Sequence, residues 1–226
     1  MLLRIPNVLT SAQVVHCRNA LRMTKWLDGK NAAGHVTRSV KNNWQVSDAD
    51  PTARGLSTMI AEALNRNELF LGAALPLRVV SPLFNRYSVG EYYGDHVDAT
   101  VQQPWGTNDR VRTDLSATLF LSSPEDYDGG ELIIRDEFEN RAVKLPAGDM
   151  VLYSSTSVHH VACVTRGVRL AAFFWVQSMV REETRRRLLF ELGTTLRQFE
   201  KALPEDPALT QLTGVYFNLL RMWTDT

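Results

Sequence analysis

Residues 78–178 consist of short runs of β-branched, aliphatic and aromatic residues, and this sequence pattern restricts the possible folds more than any other feature of the chain. The runs include DLSATLFLS, ELIIR, AVKLP, MVLYS and RLAAFFWVQS, and turn sequences such as PEDYDGGE and PAGD separate them. Roughly six or more strands joined by turns rather than by helices indicate an antiparallel sandwich or a jelly roll. A barrel of this kind has a mouth, where loops can place functional side chains.

Helical patterns precede this segment. Thr10 or Ser11 can cap a first helix with its side-chain oxygen. Asp50 followed by Pro51 predicts the start of a second helix, because aspartate favours the N-cap and proline the first helical position. Leucine and isoleucine then recur at four-residue spacing, as on one face of a helix. We therefore expect helices that support the sheet from the N-terminal side.

Helical patterns also follow the strand-rich segment. Leucines at intervals of three and four residues predict a long helix that ends before Pro204, and a final helix is predicted over residues 207–223. No repeat or flexible linker interrupts the chain. We expect N-terminal helical support in residues 1–77, the sheet core in residues 78–178 and a small C-terminal helical domain in residues 179–226.

Composition narrows the classes of partner and compartment. The 226 residues are 44% hydrophobic, and the 25 basic residues balance the 25 acidic ones, so no positive surplus predicts a nucleic-acid or membrane partner. Cys17 and Cys163 are too few for a disulfide framework and fit a reducing compartment, with Cys163 expected to be a buried apolar thiol. Arg4 and Pro6 interrupt the apolar N-terminus, and residues 170–176 are too short to span a bilayer. We expect a soluble, cytoplasmic protein.

Two histidines and one aspartate in the strand-rich segment are candidate metal ligands. His96 and Asp98 are one residue apart, so on a strand both side chains would leave the same face. His159 follows the MVLYS run, where a new strand can direct an imidazole back into the mouth. His160 is an equally placed alternative, because spacing alone does not choose between consecutive residues. Two imidazoles and one carboxylate on one side of a metal are the facial arrangement of non-heme Fe(II) oxygenases.

Arg169 stands at the start of an apolar strand, and its neighbours predict that it is buried. A buried guanidinium needs a negatively charged partner. That partner is either an acidic residue of the protein or the carboxylate of a small acid, which a guanidinium can bind through two parallel hydrogen bonds.

Three long segments carry a family resemblance. RYSVGEYYGDHVD, DLSATLFLSSPEDYDGGELII and LPAGDMVLYSSTSVHHVACVTRGVRLAAFFWVQS resemble the Fe(II)- and 2-oxoglutarate-dependent dioxygenases of the prolyl/lysyl hydroxylase class. Within that class the chain is most similar to the bacterial PKHD-type hydroxylases, the PiuC/YbiX group often described as iron-uptake factors. The resemblance covers nearly the whole chain and implies an α+β fold with a double-stranded β-helix, or jelly-roll, core.

The resemblance also implies roles for five residues. His96, Asp98 and His159 would bind Fe(II), Arg169 would bind the distal carboxylate of 2-oxoglutarate, and Tyr87 would offer its hydroxyl to the same carboxylate. His159 is preferred to its neighbour because it fills the histidine position before the family's x-V-x-x-V-T-R-G pattern, in which His160 is the variable first residue. Many related oxygenases carry serine two residues after the arginine, whereas this chain has alanine there. Another donor would have to replace that hydroxyl.

The implied reaction hydroxylates a small-molecule or peptidyl substrate with dioxygen and releases succinate and CO2. The substrate stays unidentified at the level of sequence. A requirement for L-ascorbate, a link to iron uptake or iron homeostasis, and assembly into a homo-oligomer are further expectations. The segment at residues 99–113 is a candidate lid with Trp105, Arg110 and Arg112 as substrate contacts, or else an ordinary solvated loop.

Two other classes of function compete with a hydroxylase. A non-catalytic jelly-roll protein could bind metal through the same triad and act as an iron sensor, but it would have no use for a buried arginine. A cupin-like isomerase with Zn or Mn would usually have more protein ligands, and the sequence shows no obvious fourth one.

Overall fold

The structure, a computed structural model, describes residues 1–32, 37–135 and 139–225. Helices occur at both ends of the described chain, and strands dominate between them. The α-helices are α1 (Ser11–Arg22), α2 (Pro51–Asn65), α3 (Glu68–Ala74), α4 (Glu183–Ala202) and α5 (Pro207–Trp223), and short 3-10 segments cover Gly29–Ala32, Arg38–Val40 and Pro124–Asp126. Every helix in these ranges is too short or too polar to span a lipid bilayer.

Local sequence explains where the N-terminal helices begin. The hydroxyl of Thr10 caps α1 by accepting from the backbone of Gln13, whose side chain accepts in return from the Thr10 backbone. Asp50 caps α2 through its carboxylate, and Pro51 occupies the first turn. The predicted starts of both helices are therefore confirmed.

Seventeen strands are found in the described residues, and most are short. They are β1 (Leu2–Ile5), β2 (Trp26–Asp28), β3 (Lys41–Asn42), β4 (Trp44–Val46), β5 (Pro76–Val79), β6 (Leu83–Tyr87), β7 (Tyr92–His96), β8 (Val101–Gln102), β9 (Val111–Arg112), β10 (Leu115–Phe120), β11 (Tyr127–Gly129), β12 (Leu132–Arg135), β13 (Asn140–Val143), β14 (Met150–Ser154), β15 (His159–Val161), β16 (Val164–Gly167) and β17 (Arg169–Ser178).

Two antiparallel sheets form the core. The major sheet has the strand order β1-β14-β10-β17-β6-β4-β2, with β5 also beside β17, and the minor sheet has the order β13-β12-β15-β7-β3. Strand pairs β11-β16 and β8-β9 lie outside them. Tyr87, Phe120 and Tyr153 of the major sheet share one apolar cluster with Leu132 and Val161 of the minor sheet, so the sheets face each other. The predicted α+β fold with a jelly-roll core is confirmed.

The major sheet buries its two faces differently because side chains alternate along each strand. On β17, Ala172 and Phe174 pack with Ile60 of α2 and Phe70 of α3 in the largest apolar cluster. The alternate face of β17, which begins with Arg169, is turned to the space between the sheets. The helices therefore support one face of the sheet and leave the other for the site.

The C-terminal helices pack on each other and on α3. Leu75, Val180 and Leu189 are buried there, with Tyr216 and Trp223 of α5 packed against them. The final helix covers Pro207–Trp223, as the leucine pattern and proline position predict.

One local prediction is wrong. Cys163 is exposed, because the chain has left β15 and has not yet entered β16 at that residue. The strand predicted at AVKLP is present, but it begins earlier and ends at Val143, and Lys144 directs its ammonium to the carbonyl oxygen of Tyr127, 2.7 Å away.

Candidate metal centre and cosubstrate pocket

His96 and Asp98 approach each other at the end of β7. His96 is the last residue of that strand, and Asp98 lies two residues beyond it, where the chain has left the minor sheet. The expectation that both occupy one strand is therefore met by His96 alone. Asp98 is held instead by β10, because the Ser116 hydroxyl donates a 2.6 Å hydrogen bond to its Oδ2. Ser116 is also 2.8 Å from the hydroxyl of Ser155.

His159 joins them from β15. It is the first residue of that strand and lies directly opposite His96 in the antiparallel register. Its side chain is buried, and its Nε2 lies 3.8 Å from Asp98 Oδ2, while His96 Nε2 lies 3.9 Å from Asp98 Oδ1. One ligand atom from each of the three residues falls within 4.8 Å of the others. Together they could bind one cation.

His160 faces the opposite side of the minor sheet, as the next residue on a strand must. Its Nδ1 lies 2.8 Å from a carboxylate oxygen of Asp95, which also pairs with Arg135. The register thus separates two adjacent histidines that the sequence could not separate by spacing. His159 lies in the triad, and His160 lies in a partly exposed charged cluster.

Backbone carbonyls orient both imidazoles of the triad. His96 Nδ1 lies 2.8 Å from the Gly94 carbonyl oxygen, and His159 Nδ1 lies 3.0 Å from that of Ser157. A carbonyl oxygen only accepts, so each Nδ1 carries a proton, and each Nε2 lies on the side of Asp98. Such contacts fix the tautomer and ring orientation of metal-binding histidines. Aromatic rings also enclose them, since Tyr93 stacks on His96 with ring centroids 3.7 Å apart.

The centre keeps His96 neutral. Its pKa is lowered to about 4, mainly because burial disfavours the imidazolium, with a further contribution from His159. A neutral imidazole is the form that coordinates metal. The ring therefore does not have to lose a proton near neutral pH before it binds a cation.

Arg169 opens β17 and is almost completely buried, with 1% of its surface exposed. Its Nε and Nη1 have no hydrogen-bond partner, and the guanidinium makes no salt bridge with any residue in the described ranges. Its charged carbon lies 5.3 Å from the ring centroids of both Tyr87 and Phe120. The protein thus buries a cation between aromatic rings and leaves its Nε and Nη1 donors free for another group.

Tyr87 is the direct neighbour of Arg169 across the β6–β17 pair. It is 1% exposed, and burial raises its pKa to about 12, although the charge of Arg169 works in the opposite direction. Its hydroxyl therefore stays protonated and can donate a hydrogen bond. Ala171, the position where many relatives have serine, pairs with Asn85, whose Oδ1 is buried without a partner.

One cavity of about 1080 Å³ connects these groups. His96, Asp98 and His159 line it, as do Arg169 and Tyr87. The five residues that sequence comparison singled out therefore share one space between the two sheets. The space is larger than a small dicarboxylate needs, so it can also admit a substrate.

The proposed lid segment forms a small hairpin from β8 and β9. Trp105 lies at its tip, lines the cavity and stacks 5.1 Å from the guanidinium of Arg54. Arg112 is instead bound to Asp114, with nitrogen–oxygen distances of 2.8 and 3.0 Å, and Arg110 is exposed and does not line the cavity. The structure brings only Trp105 of these three to the site.

Ser116 was not singled out from the sequence. It lies within a run of mostly apolar residues, where serine is a common strand residue, and its contact with Asp98 depends on the approach of a loop. A polar residue at an inward position of a buried strand was the only available signal.

Comparison with known proteins assigns the family. Residues 82–177 match the protein-family model of the 2OG-Fe(II) oxygenase superfamily, and residues 183–225 match the family model of the PKHD-type hydroxylase C-terminal domain. A PKHD-type hydroxylase of Parvibaculum lavamentivorans is 51% identical over 226 residues, covering 100% of both chains.

Solved structures agree on the fold. A Trichoplax adhaerens prolyl hydroxylase, solved with a peptide fragment of the hypoxia inducible factor oxygen degradation domain, has a TM-score of 0.56 at 16% identity and covers 83% of this chain and 86% of its own. HygX of Streptomyces hygroscopicus, solved with nickel, 2-oxoglutarate and hygromycin B, has a TM-score of 0.53 at 17% identity, covering 80% and 84%. The chain therefore belongs to the PKHD-type hydroxylases, and it is a 2-oxoglutarate-dependent dioxygenase of the 2OG-Fe(II) oxygenase superfamily.

Proposed function

We propose that the protein hydroxylates a C–H bond of an organic substrate at the centre formed by His96, Asp98 and His159. In this reaction substrate, 2-oxoglutarate and dioxygen give hydroxylated substrate, succinate and CO2. The observation that carries the proposal is Arg169, a buried cation with unpartnered donors in the cavity that the triad lines. A protein that bound only metal would have no reason to bury it there.

The residues present fit Fe(II). Two imidazoles and one carboxylate are a ligand set that suits this ion and would leave some of its coordination positions to other ligands. When bound, Fe(II) with 2-oxoglutarate supplies the oxidation of the C–H bond. Ser116 holds the carboxylate of Asp98, while the carbonyl oxygens behind His96 and His159 hold the imidazoles.

The residues present also fit 2-oxoglutarate. Arg169 can donate two parallel hydrogen bonds to its distal carboxylate, and the Tyr87 hydroxyl is placed on the neighbouring strand to donate a third. The rings of Tyr87 and Phe120 exclude water around this ion pair and thereby strengthen it. Alanine at position 171 adds no hydroxyl to this set.

The proposal is tested by succinate formation from purified protein supplied with Fe(II) and 2-oxoglutarate. Asp98→Ala and His159→Ala should reduce the rate to background, because each removes a ligand. The matched controls are Asp95→Ala and His160→Ala, which change the same residue types on the other side of the minor sheet. Equal activity of the His159→Ala and His160→Ala variants would contradict the assignment.

A second experiment separates the hydroxylase from the iron sensor. Calorimetry of the metal-loaded protein should show 2-oxoglutarate binding that Arg169→Ala weakens by at least about 30-fold, the lower end expected for one partner of a buried charge pair. Arg166→Ala is the control, since Arg166 is exposed and pairs with Asp128. Unchanged affinity in the Arg169 variant would favour the sensor.

The substrate we propose is a small molecule or a peptidyl side chain that reaches the cavity from its open side. A cytoplasmic location rests on the composition of the chain, and the division into residues 1–77, 78–178 and 179–226 rests on the helix and strand patterns; homo-oligomerisation is a further proposal. A role in iron uptake or iron homeostasis and stimulation by L-ascorbate rest on the family resemblance. Growth of a deletion strain under iron limitation, and succinate formation with and without ascorbate, test these two.

A further inference from the structure

Lys41 is a buried cation in the cavity that neither the metal centre nor the cosubstrate site uses. It begins β3, is 5% exposed and lines the same cavity as the triad. It has no hydrogen bond or ion pair with the residues that the structure describes. Its ammonium lies 5.0 Å from the ring centroid of Tyr93, which itself stacks on His96. The cation therefore lies near the metal centre without a direct carboxylate partner among the described residues, although the more distant charges of Asp98 and Asp28 raise its pKa.

Lys41 is the first of three polar residues that alternate along one segment. Asn43 and Gln45 follow at spacing two, and all three are buried and line the cavity. The segment joins the two sheets, because Lys41 pairs with Tyr93 of β7 while Gln45 pairs with Asn85 of β6. Both polar atoms of the Asn43 amide are buried without a hydrogen bond of normal geometry, although the amide interacts with the Tyr87 hydroxyl and lowers the Tyr87 pKa. An unsatisfied buried amide two residues from a buried cation indicates that a polar ligand binds there.

The formal charges of the groups at the site indicate that the ligand of Lys41 is an anion. Fe(II), Asp98, Arg169 and the 2-oxoglutarate dianion together carry no net charge, and the two imidazoles are neutral. Lys41 is then an uncompensated buried cation in the loaded enzyme. The other charged lining residues, Asp48 and Arg54, are exposed. Burial lowers the Lys41 pKa to about 8, so most of the ammonium stays charged at neutral pH, and it needs an anion.

We propose that Lys41 and Asn43 bind a carboxylate of the substrate, so that the substrate is a small carboxylic acid hydroxylated at a carbon near that group. The inference rests on the hydroxylase function proposed above and names its substrate class. The ammonium neutralises the carboxylate, and the Asn43 amide donates to one of its oxygens. The backbone carbonyl of a residue inside a peptide chain is an amide and does not supply this carboxylate, so a peptide would have to offer a side-chain or C-terminal carboxylate.

The test compares matched neutral and anionic probes. Free and N-acetylated standard amino acids, each as the acid and as the primary amide, are incubated with enzyme, Fe(II) and 2-oxoglutarate, and gain of one oxygen is followed by mass spectrometry. Hydroxylation of acids with little or none of the matching amides is expected. Preference for amides, or no hydroxylation of any acid while the enzyme still forms succinate, overturns the inference. Absence of all succinate formation would instead count against the hydroxylase itself.

Variants of Lys41 then test whether this side chain causes the preference for acids over amides. Lys41→Met should lower kcat/KM for the preferred acid roughly 10- to 150-fold, the range for losing a hydrogen bond to a charged group, and should change that for its amide less than about 3-fold. Lys41→Arg keeps the charge and should retain the preference for the acid. Lys25→Met, at an exposed lysine, is the control. An equal loss for acid and amide, or a matching rise in KM for 2-oxoglutarate, would refute the assignment.

Discussion

Replacement of Arg169 by methionine tests whether this buried cation serves the cosubstrate or the fold. If it serves the cosubstrate, the protein without 2-oxoglutarate buries an unpaired charge at a cost to stability. Methionine fills a similar volume, and replacing a buried charge by an apolar residue is often neutral or stabilising by about 1–4 kcal/mol. We therefore expect Arg169→Met to unfold at the same temperature as the wild type or above it, in the absence of 2-oxoglutarate.

Addition of 2-oxoglutarate should instead stabilise the wild type more than the Arg169→Met variant. At about 100 times its dissociation constant, 2-oxoglutarate stabilises a protein that binds it by about 2.7 kcal/mol. For a chain of this size that is roughly 5–11 °C in Tm, at about 2–4 °C per kcal/mol. Wild-type protein with Zn(II) in place of iron should show this rise, and Arg169→Met should show almost none.

Arg186 provides the matched control, because it is a second buried arginine with a structural role. Its Nη1 donates to the carbonyl oxygens of Val180 and Arg181 at 2.8 and 2.6 Å, just before α4. Arg186→Met leaves these carbonyls without that donor and should lower stability by about 2 kcal/mol or more, with or without 2-oxoglutarate. Calorimetric or denaturant unfolding of both variants measures the difference. A loss of about 3–5 kcal/mol in ligand-free Arg169→Met would refute the reasoning, since it would show that Arg169 is a structural ion.

Three further predictions concern other parts of the chain. Ser116→Ala should weaken metal binding about 10- to 100-fold in competition with a chelator, because Asp98 loses the hydroxyl that holds it; an unchanged affinity would contradict this. Cys163 should react with a thiol reagent in the folded protein, whereas Cys17, which is buried with a pKa raised to about 11 by that burial, should react only after unfolding. Gly55→Ala in α2 should raise the free energy of unfolding by about 0.5–1 kcal/mol, because no atom lies within 4 Å of the added Cβ and glycine disfavours helix; a lower midpoint in urea would show otherwise.

Periodicity and capping predicted the elements well because those signals are local. Asp50 and Pro51 predict the start of α2 without information from distant residues. The final helix likewise begins at a proline, Pro207, and ends at Trp223. Cys163 shows where such local signals fail to predict the structure. Apolar neighbours on both sides suggested a strand, but whether a short gap separates two strands depends on their partners in other parts of the chain.

The candidate site was predictable as a set of residue types and not as an arrangement. Asp98 lies beyond the strand that carries His96, and the hydroxyl of Ser116, eighteen residues further on, brings it back to the centre. His159 and His160 could be told apart only by the register of β15 against β7. The sequence did not indicate that Lys41 belongs to the cavity, because a single lysine in a polar stretch is usually a surface residue. Its burial becomes evident only from the pairing of β3 with β7.

The site is built from both sheets, so its ligands would connect them. The minor sheet supplies His96 and His159, whereas the major sheet supplies Arg169 and, through Ser116, the position of Asp98. The segment β3–β4 pairs with both sheets. A cation bound by the triad would therefore link the sheets, 2-oxoglutarate would link the cation to the major sheet, and an anionic substrate on Lys41 would add the third connection.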